Sequence, residues 1–225
     1  MCDDFADPKF AGLSVLEING RKLHNHVIVP HPVDVYISDC TVLCALDMVF
    51  TSVNSSVVIT NLNAGDMELN IRCNGNLTIF GGYFKGDVNI YCPGKVCISG
   101  VELGENVRFF VQESLKFSEI TGNLVLDGSM SLSELEVVDS ICNIRLVTSV
   151  FNNIFVKASP VDWLDGIRVG KLTISSVRHS LLNLSKTIAD VVMISDNSEF
   201  DTALIGTKIS NCINCDSLIG AVLKV

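Results

Sequence analysis

The chain has 225 residues, 48% hydrophobic but only 7% aromatic, with 16 Lys+Arg against 25 Asp+Glu and a formal charge of −9. So much apolar content excludes a disordered chain, which lacks the apolar surface to offset its conformational entropy. The acidic balance argues against general nucleic-acid binding, which rests mostly on Lys and Arg at phosphates, and no apolar stretch reaches the roughly 18 residues that span a bilayer.

The chain opens on Met1-Cys2-Asp3-Asp4, with no basic region followed by an apolar one, so the expectation is a cytoplasmic protein without a secretory signal. Residues 1–26 read as an N-terminal cap or arm. Phe5, Phe10, Leu13, Val15, Leu16 and Ile18 would cover the end of whatever follows, with Asn19-Gly20 as a turn. His24-Asn25-His26 places two imidazoles on one side of an extended segment, with His31 nearby. They are weak metal-ligand candidates; a solvated junction is the plainer reading.

From residue 27 to residue 225 the apolar residues are mostly Val, Ile and Leu, punctuated by Gly, Asn and Ser, a mixture that suits short strands and turns. A fixed period runs through them. Leu69, Val88 and Val107 follow one another by 19 residues, as do Ile71, Ile90 and Phe109, and then Cys73, Cys92 and Val111. A second set, Leu77, Val96 and Leu115 with Ile79, Ile98 and Phe117, keeps the same spacing. Upstream, Val35 and Ile37 lead to Val57 and Ile59 by 22, and these to Leu77 and Ile79 by 20. Downstream, Leu124 and Leu126 precede Ile144 and Leu146 by 20, Leu135 and Val137 precede Ile154 and Val156 by 19, and Ile167, Ile188 and Ile209 continue at 21.

Within each period the apolar residues alternate, as half-buried strands do. One coil cannot bury its own inner face, but stacked coils share a continuous aliphatic core. The expected fold is therefore all-β: a single-stranded parallel β-helix of roughly ten coils of 17 to 22 residues. It is taken as right-handed from the crossover rule. The low aromatic share fits a narrow core of aliphatic ladders. A loop insertion is expected near 157–166, around Trp163.

Cys40 and Cys44 form a C-x3-C, and Cys212 and Cys215 a C-x-x-C near the other end; the two pairs are too far apart to share one ion. Cys73 and Cys92 occupy one inward position on neighbouring coils and read as small apolar side chains within disulfide reach under oxidation. Cys97, between Val96 and Ile98, should point outward above Thr78 and Lys116, which makes it the candidate reactive thiol.

Glu68 and Asp87 should stack outward on adjacent coils, flanked by Asn70, Asn89 and Arg108. They are weak catalytic candidates, since glycoside cleavage needs two carboxyls flanking one bond; a solvated outer face is the alternative. Asp47 and Asp66, also 19 apart, could extend an acidic ladder, while Glu134, Glu136 and Asp139 read as surface. Arg72, Tyr91 and Phe110 stack on one outer ladder as a candidate binding patch, and Tyr83 sits above Glu102. No P-loop, dinucleotide fingerprint, H-E-x-x-H or G-x-S-x-G is present.

The short V-x-I strands and Gly/Asn turns resemble the right-handed parallel β-helix proteins, among them pectate-lyase-like enzymes, phage tail spikes and bactofilins. The stretch from Gly75-Asn-Leu-Thr-Ile79 through Gly86-Asp-Val-Asn-Ile90 to Gly94-Lys-Val-Cys-Ile98 is most similar to a bactofilin. The resemblance is architectural, and fold does not fix function. The favoured expectation is a non-enzymatic structural or interaction protein, a phage or virion component with a binding face. A carbohydrate-active lyase or glycosidase and a bactofilin-like filament former are the alternatives. No cofactor is expected. The expected partner is a protein or a second copy (a homotrimer), with a glycan next, and neither nucleic acid nor membrane.

Overall fold

The structure, a computed structural model, describes residues 3–4, 7–10, 12–104, 106–126, 131–147, 150–157, 163–165, 167–175, 178–183, 186–195, 199–203 and 207–214. They form a parallel β-solenoid. Its longest ladder starts at Val15–Asn19 and Asp34–Ser38 and runs through the first halves of Ser56–Gly65, Asn76–Phe84 and Lys95–Leu103. Ser114–Ser118, Ser131–Val138, Val150–Lys157, Arg168–Ser175, Ile188–Ser195 and Lys208–Ile213 continue it. A second face stacks Asp3–Asp4, Lys22–Val29, Thr41–Phe50, Leu69–Cys73, Val88–Cys92 and Val107–Val111, all parallel. A third, shorter ladder brings Lys22, Thr41, Asn63, Tyr83, Glu102, Thr121 and Ile141 into register. Arg178–Asn183 and Glu199–Ala203 pair in a separate parallel sheet.

The inward ladders are those the 19-residue period predicts. Leu77, Val96 and Leu115 are in register, as are Ile79, Ile98 and Phe117, and all are buried. Some of the rings go inside: Phe84, Phe109, Phe117 and Phe151 are among the largest fully buried side chains. Phe109 and Phe117 meet edge to face at 5.3 Å between centroids, a favoured aromatic geometry. Lining a narrow tube with aliphatic groups therefore still leaves room for rings where two faces meet.

One corner has a backbone signature. Gly20, Asp39, Asn61, Gly81, Gly100, Glu119 and Asp139 each follow a segment of the longest ladder, and all have φ between 48 and 64°; Asn61, Gly81 and Gly100 fall within the long strands Ser56–Gly65, Asn76–Phe84 and Lys95–Leu103. That left-handed conformation suits Gly and tolerates Asn and Asp, so the turn chemistry explains the residue choice at all of them except Glu119.

Two expectations need correction. The solenoid begins well before residue 27, because Leu16 and Ile18 are buried and paired with Val35 and Ile37 as a first coil. Asp3–Asp4 adds a further strand beside Val27 and Ile28. Among the described residues of this segment, the 3-10 turn Pro8–Phe10 packs its Phe10 on the core, while Leu13 and Val15 remain exposed. Phe5 and most of the expected insertion at 157–166 lie outside the described residues. The 21-residue ladder also fails: Ile188 pairs with Arg168 and Lys208 and is exposed, and Val169, Ala189 and Ile209 share the register instead.

Candidate functional site

The second face carries the chemistry. Its last three strands alternate strictly, so Leu69, Ile71 and Cys73 point in while Asn70 and Arg72 point out, and the pattern repeats in Val88–Cys92 and Val107–Val111. Parallel in-register pairing turns each outward position into a column. One column is His26, Asp47, Asn70, Asn89 and Arg108; the next is Ile28, Val49, Arg72, Tyr91 and Phe110.

The first column is a hydrogen-bonded chain. Asn89 Nδ2 donates to Asn70 Oδ1 at 2.8 Å, and Asn70 Nδ2 donates to Asp47 Oδ1 at 2.8 Å and to Glu68 Oε1 at 3.1 Å. Asp47 Oδ2 lies 3.4 Å from His26 Nδ1. The chain ends at Asn89, whose Oδ1 accepts no hydrogen bond among the described residues.

The second column brings the three residues of the expected outer ladder together. Arg72 opposes Tyr91 and Tyr91 opposes Phe110 on successive coils, with Tyr91 46% and Phe110 51% exposed. Together with Asn70, Ile71 and Asn89 they line an open groove of about 400 Å³. Among the described lining residues there is one cation, two carboxamides, two aromatic rings and no carboxylate. Neither Arg72 nor Arg108 forms an ion pair among the described residues.

Glu68 and Asp87 occupy the same position on consecutive coils, just before their strands, where their carbonyls accept from Leu46 N and Leu69 N. Both side chains are exposed and engaged with a carboxamide, Glu68 with Asn70 and Asp87 with Asn106 Nδ2 at 2.9 Å. Neither lines the groove. The expected Asp47–Asp66 ladder does not form, because Asp47 registers with Asn70 and Asp66 sits in the following turn.

The two imidazoles do not share one side of an extended run. Asn25 between them has φ 60°, and the register shifts there by a bulge. No group of three or more His, Cys, Asp or Glu side chains converges among the described residues.

Cys97 stands where its neighbours predict, opposite Thr78 and Lys116. It is half-buried, and desolvation pushes its thiol above the usual range, with Lys116 pulling it down and Glu136 pushing it up. Glu136 belongs to an ion pair rather than to a bare acidic run: its Oε2 lies 2.6 Å from Lys116 Nζ. Cys40 is buried and donates to the Ser38 carbonyl at 3.2 Å, whereas Cys44 bonds Asn25 Oδ1 at 3.3 Å. Cys212 is disulfide-bonded.

Sequence reasoning misses the Asp47–Asn70–Asn89 chain and a second shallow groove lined by Glu134, Glu136, Asn153, Phe155, Lys171 and Thr173 among others. The 19-residue step from Asn70 to Asn89 is a readable signal for the first; nothing in the spacing marks the second. Among the described residues, no helix is long and apolar enough to cross a membrane.

Fold and site together define a parallel β-solenoid with a mixed aromatic and polar groove on one outer face. Comparison with family models, curated proteins and solved structures finds no match.

Proposed function

We propose that this chain is a non-enzymatic structural or interaction protein whose rigid solenoid presents the second face to a protein partner. The observation that carries the reading is the exposed Tyr91 and Phe110 pair beside the guanidinium of Arg72, which forms no ion pair among the described residues. Tyr and Arg dominate the residues that contribute most to protein interfaces, and exposed rings become informative when clustered. A β-sheet face holds such groups at fixed spacing, so little side-chain order is lost on docking. A carboxylate pair acting on a glycan gains no comparable support, since Glu68 and Asp87 stand outside the groove. A role in a particle such as a virion remains a use for this face, and its partner there would be a coat subunit or a second copy.

The test replaces Tyr91 and Phe110 with Ser. Circular dichroism first establishes that the fold is kept. Sedimentation equilibrium and co-purification from the native source then compare the variant with the parent chain. Loss of the associated species, self or partner, supports the reading; a parent chain that is monomeric and co-purifies with nothing, or an associate retained by the variant, overturns it.

A further inference from the structure

The strands that build the groove carry a second pair of chemical groups on their inner side. Cys73 ends Leu69–Cys73 and Cys92 ends Val88–Cys92, and the register of Arg72 with Tyr91 sets the two cysteines opposite each other on adjacent coils. Both are free and fully buried. Neighbouring strands lie about 4.8 Å apart, inside the Cα separation of roughly 4.4–6.8 Å that a disulfide spans. We propose that Cys73 and Cys92 are a peroxide-modifiable dithiol that closes reversibly to an inter-coil disulfide.

The two sulfurs are unequal. The neighbouring Cys73 thiol favours a thiolate at Cys92 and outweighs the opposing cost of burial, with the backbone N–H groups of Gly94 and Leu77 adding to the shift. Cys73 is pushed far the other way by Cys92 and by burial. As thiols, Cys92 donates to the Gly75 carbonyl at 3.2 Å and Cys73 to that of Asn76 at 3.5 Å, so both sulfurs are held at the same turn. The division of labour follows from the thiolate being the nucleophile.

Cys92 attacks one oxygen of hydrogen peroxide, the O–O bond breaks, and a sulfenic acid and hydroxide form. The Cys73 sulfur then attacks the Cys92 sulfur, the S–O bond breaks, and the oxygen leaves as water with the Cys73 proton. The hydroxide takes up the proton that Cys92 had released. Two thiols and one peroxide thus give one disulfide and two waters.

Geometry sets the character of that bond. In-register parallel strands aim both Cβ atoms the same way, whereas an unstrained disulfide wants them roughly 3.5–4.5 Å apart. Closure therefore draws the coils together and leaves a strained, easily reduced bond, which suits a switch better than a staple. Arg72 and Tyr91 are the immediate chain neighbours of the two cysteines, so the strands that move are those lining the groove.

The test exposes the folded protein to hydrogen peroxide, blocks remaining thiols with iodoacetamide in denaturant, and maps tryptic peptides without reduction. Cleavage after Arg72, Lys85 and Lys95 places the two cysteines on separate peptides. The expected result is one cross-linked species joining them, lighter by two hydrogens than the sum, which dithiothreitol returns to two alkylatable thiols without unfolding. Cys73→Ala should replace the cross-link by a Cys92 sulfenic acid that dimedone traps. Full alkylation of Cys73 and Cys92 after a peroxide dose that oxidises half-exposed Cys97, or cross-links from either residue only to other cysteines, overturns the proposal.

Discussion

Asn89 donates from its Nδ2 to Asn70 Oδ1 at 2.8 Å, one coil below, and Asn70 passes the pattern on to Asp47 and Glu68. Asn70 is therefore the joint of the chain: it accepts once and donates toward two carboxylates. Removing it in Asn70→Ala breaks three contacts on a half-buried face, each worth about 0.5–1.5 kcal/mol net where water cannot replace it. A loss of about 1–2 kcal/mol in urea unfolding is expected. Asn70→Asp keeps the shape but sets a third carboxylate against Asp47 and Glu68, so it should be less stable than the alanine variant at neutral pH and low salt. High salt should narrow that gap by screening. Equal stability of the two variants at low salt would show that the chain carries no such electrostatic constraint.

Glu119 has φ 55° at a corner where the other described residues of positive φ are Gly, Asn and Asp. A left-handed residue with an ordinary side chain costs roughly 1 kcal/mol, and asparagine relieves much of it. Glu119→Asn should therefore stabilise the protein by up to about 1 kcal/mol, read as a higher thermal midpoint. Asn61→Ala, at an equivalent corner where Asn61 Nδ2 donates to Asp39 Oδ1 at 3.1 Å, should shift the midpoint the other way. Two shifts of the same sign would remove the backbone explanation for this corner's composition.

Strand alternation and the 19-residue step make the core readable from the residues alone, because an inward position must be apolar in every coil. The first coil obeys the same rule, with Leu16 and Ile18 19 residues before Val35 and Ile37. It is hidden because Phe5, Phe10 and Leu13 run into it as one apolar stretch that reads as a cap. The outer columns follow only where the corners keep their length. Arg72, Tyr91 and Phe110 are placed together correctly, since 19 residues separate each from the next. Asp47 is misassigned because a longer corner puts 23 residues between it and its true neighbour Asn70. Side-chain hydrogen bonds and groove depth depend on rotamers, which spacing does not encode.

Gly75 shows how tightly the coils stack. A Cβ there would overlap the Ser55 carbonyl oxygen and lie 3.2 Å from that of Ser52. Both obstacles are backbone, and Ser55 O also accepts the N–H of Asn76 at 3.2 Å, so relief means separating two coils at their corner. Gly75→Ala should cost about 2–3 kcal/mol, the upper range for overpacking. Gly12→Ala meets nothing within 4 Å and should leave stability within about 0.5 kcal/mol. Urea midpoints of the two variants, measured side by side, check the contrast. A Gly75 variant as stable as the Gly12 variant would mean that the corner is looser than this packing.

Cys97 offers a pH measurement with a sign. Burial raises its thiol pKa, Lys116 opposes the rise and Glu136 adds to it. Alkylation by iodoacetamide at neutral pH should therefore be slower than for a free cysteine, its rate climbing through a midpoint above the ordinary thiol value of about 8.5. Glu136 also holds the Lys116 pKa above its usual value. A raised lysine pKa means that the ion pair is fully present below about 10.4, the ordinary lysine value, and is lost only as pH rises through the folded one. The Lys116 charge thus stays constant through the lower part of the Cys97 titration. Glu136→Gln removes the negative neighbour and leaves the ammonium to act alone, so the midpoint should fall and the neutral-pH rate rise a few-fold, by about one Coulombic neighbour's effect at partial exposure. Lys116→Gln should raise the midpoint and slow the reaction. Peptide-level mass spectrometry isolates Cys97 from the other thiols, and shifts of the same direction in both variants would refute the assigned roles of its two charged neighbours.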